Sequence, residues 1–100
     1  MTVEFEGQSH SPKIKVKWEY FVEAKDSNGQ PLAGKVLTEF VFGGQVVGKE
    51  SPPYHNLAGG KLADKITFPP QSLNVPLTVQ VVVTTKYGPL TLDWPVKPVK

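Results

Sequence analysis

Residues 14–25 read IKVKWEYFVEAK, and their reading decides the fold. Ile14, Val16, Trp18, Tyr20, Val22 and Ala24 fall on one side of an extended chain; Lys15, Lys17, Glu19, Glu23 and Lys25 fall on the other, with Phe21 the exception. A two-residue period predicts a strand with one face in a core and one in water. The same alternation recurs along the chain. VEFE (3–6) is a short first strand. KVLTEFVF (35–42) puts Val36, Thr38, Phe40 and Phe42 in one phase, and Gly43-Gly44 then turns into QVVG (45–48). KLADKITF (61–68), LTVQVVVTT (77–85) and PLTLDWPV (89–96) follow. No stretch free of Pro and Gly carries the helical i, i+3, i+4, i+7 spacing. Short amphipathic strands separated by turn signals predict an all-β, seven-stranded antiparallel β-sandwich, read as one domain over residues 1–100. Pro95 inside the last strand predicts an edge or a bulge, because it cannot donate to a ladder.

Composition narrows the function classes. The chain has 100 residues, 39% of them hydrophobic, and a formal net charge of +2. There is no Arg, the residue that grips phosphate and guanine through two parallel hydrogen bonds, so nucleic acid is not an expected partner. Cys is absent, which removes disulfides, thiol nucleophiles and iron–sulfur ligation. No apolar run is long enough for a membrane-spanning helix, so no membrane insertion is expected. The residues after Met1 carry no basic-then-apolar signal segment, which suits a cytosolic protein or a recombinant fragment of a secreted one.

Gly29-Gln30-Pro31-Leu32-Ala33-Gly34-Lys35 has the spacing of a phosphate-binding loop. That loop needs Ser or Thr after the Lys and a helix beyond it. Here Val36 follows and a strand pattern continues, so the stretch reads as a turn. Asp26 and Asn28 imitate the start of a calcium loop, but Pro31 stands where that loop requires Gly. His10 and His55 are far apart, and neither has a second ligand at helical spacing; both read as surface-loop residues. Glu4 and Glu6 share a strand face and read as solvated edge charges. Asp64 has the phase of Leu62 and Ile66, which predicts a hydrogen-bonded carboxylate at the core rim. Trp18 and Trp94 lie in inward phases and read as core. Neither catalytic groups nor a cofactor or metal site is expected.

The segment VEAKDSNGQPLAGKVLTEF resembles the second-to-third-strand region of bacterial immunoglobulin-like domains, which occur in tandem arrays on invasin- and intimin-like surface proteins. Asp26, Gly29, Pro31, Leu32, Gly34, Val36 and Phe40 match that pattern. NLAGGKLADKITFP and TTKYGPLTLDWPV resemble later parts of the family more loosely. The resemblance implies an immunoglobulin-like sandwich, non-enzymatic, serving as a spacer, adhesion or carbohydrate-contact module of an extracellular or cell-surface protein. As a second reading, the Lys-only surface, the Met start and the absence of Cys suit an engineered binding scaffold built on such a domain; a small carbohydrate-active module is a third.

If consecutive strands are antiparallel, the segments Asp26–Gly34, Lys49–Gly60 and Lys86–Pro89 emerge at one end, where hypervariable loops sit in antibody domains. Tyr54, His55, Tyr87 and Asn28 belong to them. Phe21, an aromatic in an outward phase, adds a candidate contact on a sheet face. The expected partners are neighbouring domains or a protein or glycan target, met by a monomer.

Overall fold

The computed structural model describes the backbone of residues 1–100 and every side chain except that of Ser51. Seven strands run in order: β1 (Thr2–Gly7), β2 (Trp18–Lys25), β3 (Lys35–Phe42), β4 (Gln45–Asn56), β5 (Lys61–Ile66), β6 (Leu77–Thr85) and β7 (Gly88–Val96), with a single 3-10 turn at Pro70–Ser72. They form two antiparallel sheets, β1-β2-β5 and β4-β3-β6-β7. The sheets face each other in a sandwich-like packing. Trp18, Tyr20, Val22 and Ala24 of β2 share one buried cluster with Val36 of β3 and Val79, Val81 and Val83 of β6. Each fully buried valine contributes about 1.5–3 kcal/mol relative to exposure. β7, which carries Pro95, is an edge strand.

The two seams between the sheets are closed differently. At the β1/β7 seam the chain itself crosses over. After Gly7 it leaves the three-stranded sheet and runs beside the end of β7: Lys97 N–H donates to His10 O at 2.9 Å, Val99 N–H to Pro12 O at 2.8 Å, and Ile14 N–H to Val99 O at 2.9 Å. Both indoles are drawn to this crossing, Trp18 Nε1 at 3.1 Å and Trp94 Nε1 at 3.0 Å from Ser9 O. His10 stacks on Trp94 with centroids 4.2 Å apart, and its Nδ1 lies 2.6 Å from Pro95 O. At the other seam β4 turns into β5 through Leu57–Gly60, and beyond that turn polar side chains bridge the two strands.

Three expectations need correction. The alternation from Ile14 begins before the strand does. Lys15 takes a left-handed φ of 64°, which turns the chain and leaves Val16 52% exposed, so β2 starts at Trp18. Trp94 is only half-buried: it packs at the margin of the core, between Phe5 of β1 and His10 of the crossing segment. The third concerns Lys49–Gly60: most of it is not a loop, because β4 extends to Asn56.

Gly7 is needed for space. A Cβ there would clash with the Trp18 ring and lie 2.7 Å from Trp94 Nε1. Gly7→Ala is expected to destabilise the protein by about 1–3 kcal/mol, as overpacking does, measured by urea unfolding. Gly48→Ala, whose Cβ would sit 3.5 Å from Phe40, should cost distinctly less; equal costs would contradict the crossover packing.

Candidate functional site

A polar cluster occupies the β4/β5 seam. Its position starts with Glu50-Ser51-Pro52-Pro53. Leu37 of β3 pairs with Tyr54 and Glu39 pairs with Lys49, so these four residues stand opposite the single residue Thr38. Pro52 and Pro53 have no N–H to donate, and the strand bulges. The Glu50 carboxyl reaches the Tyr20 hydroxyl from this bulge. His55, opposite Val36, takes the inward phase beyond it. Asp64 sits opposite Tyr20 on β5.

Tyr20 is the hub. Its hydroxyl lies 2.8 Å from Thr38 Oγ1, 2.8 Å from Glu50 Oε2 and 3.1 Å from Asp64 Oδ2. A phenol has one proton, so it donates to one carboxyl group and accepts from a neighbour. Asp64 Oδ1 accepts the Lys65 backbone N–H at 2.8 Å, which orients Oδ2 into the cluster. His55 Nε2 stands 3.3 Å from Glu50 Oε2 and 3.2 Å from Asp64 Oδ2. These are close approaches without hydrogen-bond alignment: Nε2 is out of contact with solvent and has no hydrogen-bond partner.

The electrostatics follow from burial. Desolvation, with the neighbouring Asp64 adding to it, pushes the Glu50 carboxyl up to about 8. Burial also raises the Tyr20 hydroxyl, reinforced by both carboxylates. For Asp64 the burial effect is outweighed by hydrogen bonds from Glu50 and the Lys65 N–H and by the nearby His55, which leave it below the ordinary carboxylate range. The pair therefore holds one proton at neutral pH, mainly on Glu50.

The residues singled out in the sequence are placed apart. Tyr54 and His55, expected in a loop, lie on β4. Tyr54 points outward opposite Leu37 and is 59% exposed. His55 is turned inward, because adjacent strand residues face opposite sides. Tyr87, 57% exposed, sits in the β6–β7 turn with Lys86 Nζ 5.3 Å from its ring centroid. Asn28 is exposed in the β2–β3 loop. There Asp26 Oδ1 accepts the backbone N–H groups of Asn28 and Gln30 at 2.8 and 2.9 Å, bonds that hold its carboxyl low. Phe21 is half-buried on the outer face of the three-stranded sheet, between Glu6 and Ala63. Sequence reasoning missed Glu50, Tyr20 and Thr38 as partners of Asp64 and His55. The available signal was three polar side chains, Tyr20, Thr38 and Asp64, in inward phases. At the opposite end, Phe40, Phe42, Val47, Phe68, Val75 and Leu77 line an apolar groove of about 420 Å³.

No protein-family model matches the chain, and no curated protein sequence does. Among solved structures, the chain is similar to one described as the crystal structure of an engineered protein, with a TM-score of 0.58 and 18% identity over 99% of this chain. The match spans 20% of that protein's length. At this identity the likeness concerns the all-β fold alone.

The raised Glu50 carboxyl makes a signed prediction. Its proton is favoured in the folded state, so the stability this contributes is complete below the unfolded value near 4.5 and is lost as pH rises towards 8. Tyr20, Thr38, His55 and Asp64 face Glu50, and Lys17, Lys49 and Lys65 line the adjoining pocket. Glu50→Gln keeps the shape and removes the titration. Urea midpoints measured from pH 5 to 8.5, with EDTA keeping cations off the carboxylates, should fall for the parent across that range, with a flatter profile for the variant. Parallel profiles would show that Glu50 ionises freely in the folded state.

Proposed function

We propose that the chain is a single immunoglobulin-like domain over residues 1–100, and that it is a non-enzymatic binding module of the scaffold type. Its two-sheet frame presents contact residues to a protein or glycan target. The observation carrying this reading is the separation of frame from surface. The interior is closed around Tyr20 and the valines of β6, while Tyr54 on β4 and Tyr87 in the β6–β7 turn stand 59% and 57% exposed. Exposed tyrosines held on a fixed backbone supply large contact area at low entropic cost. The likeness to a portion of an engineered protein supports the scaffold form of the reading. In a natural parent the same module would belong to an extracellular or cell-surface protein, with Asn28 and Phe21 as supporting positions and His55, turned inward, outside the contact surface.

Tyr54 continues a row across the outer face of the four-stranded sheet, through Leu37 and Val82 to Thr91. Tyr87 lies at the end of the same sheet, beyond Thr85 and Gly88. A partner meeting both would therefore lie against the loop end of that sheet.

Tyr54→Ala, Tyr87→Ala and Asn28→Ala, singly and together, should each move Tm by less than about 4 °C, the response to surface changes within about 0.5 kcal/mol. A displayed library randomised at Tyr54, Tyr87 and Asn28 should yield folded members that bind chosen protein or glycan targets. Unfolding of the triple alanine variant would mean that these side chains belong to the core packing, and the module reading would fail.

A further inference from the structure

The β4/β5 cluster contains a feature that sheet closure does not explain. His55 Nε2 is the one buried side-chain nitrogen or oxygen among the described residues that lacks a hydrogen-bond partner. A buried polar atom left unpaired costs about 1–3 kcal/mol. It lies beside two carboxylate oxygens, at 3.3 and 3.2 Å, yet neither lies along the direction a ring N–H would take. A buried imidazole nitrogen without a hydrogen-bond partner, beside two carboxylate oxygens, suits a bound cation.

We propose that Glu50, His55 and Asp64 form a divalent transition-metal site of the zinc type, independent of the contact surface proposed above. The donor atoms Glu50 Oε2, His55 Nε2 and Asp64 Oδ2 all lie within 4.8 Å of one another. Zinc bonds N and O ligands at about 2.0–2.2 Å, so two ligand atoms at neighbouring corners of its tetrahedron are about 3.3–3.6 Å apart. The separations from Nε2, 3.3 and 3.2 Å, are at the short end of that spacing. An imidazole with two carboxylates selects zinc and its neighbours in the transition series over calcium and magnesium, which take all-oxygen sets.

The surrounding bonds already orient these ligands. The Tyr20 hydroxyl touches Glu50 Oε2 and Asp64 Oδ2, and the Lys65 N–H takes Asp64 Oδ1, leaving Oδ2 for the metal. Such outer contacts fix ligand direction in metal sites. The side chains of His55 and Asp64 are each 23% exposed, so the cluster lies close beneath the surface. Ligands come from β4 of one sheet and β5 of the other. The ion would thus act as a clip between the two sheets, beyond the Leu57–Gly60 turn that joins β4 to β5.

The test uses the untagged full chain stripped with EDTA. Zinc chloride titrated by calorimetry should bind at one ion per chain and raise Tm, whereas magnesium and calcium chloride should not. Cobalt(II) should give the intense visible absorption of a tetrahedral centre. Glu50→Gln, Asp64→Asn and His55→Ala should each weaken zinc by about tenfold or more, while His10→Ala should leave it unchanged. Glu50→Gln retains the shape of the side chain, so its loss of binding can be read in a folded protein, checked by circular dichroism. Absence of zinc binding to the parent chain, or undiminished binding in folded Glu50→Gln, would overturn the site.

Discussion

The structure depends on joining two sheets whose hydrogen-bond ladders are separate. Each sheet satisfies its own backbone, and burial of the inner faces pulls the two together. Burial has no direction, however, and does not set how the edges meet. At the β1/β7 seam the crossing segment does so with backbone hydrogen bonds and two indoles on one carbonyl oxygen. At the β4/β5 seam the task falls to Tyr20, Thr38, Glu50, His55 and Asp64. Register there rests on a few short polar contacts, whose geometry is far more specific than apolar packing.

That arrangement carries an energetic cost. A carboxyl group with a side chain only 9% exposed, held next to another carboxylate, is disfavoured in its charged form. Apolar replacements of similar volume often match or exceed the stability of such buried polar groups. The cluster therefore contributes alignment more than net stability: it specifies one relative placement of β4 and β5 where apolar contacts would accept several. The two-proline bulge serves the same end: Glu50 already shares the inward phase of Thr38, and the register shift beyond it brings His55 inward opposite Val36.

The separation of frame and surface follows from the alternation of strand residues. Tyr54 and His55 are neighbours, yet one faces solvent and the other faces the opposite sheet. A change at Tyr54 is thus nearly invisible to the interior, while a change at His55 disturbs the seam. Varied contacts can accordingly be carried on an unvarying frame.

Much of the architecture was legible in the chain alone. The alternating segments showed strands, their inner faces and the edge position of Pro95, because side-chain direction in a strand depends only on parity. The inward phase of Asp64 was legible for the same reason. Parity could not show that Lys15 turns the chain before Trp18, since that depends on contacts with Phe68 and Val99. It could not show that β4 continues past two prolines, because a bulge is licensed by the partner strand. Nor could spacing bring His55 to Glu50 and Asp64. The His55–Asp64 contact crosses between two sheets, and only the packing of one on the other decides which edge residues meet.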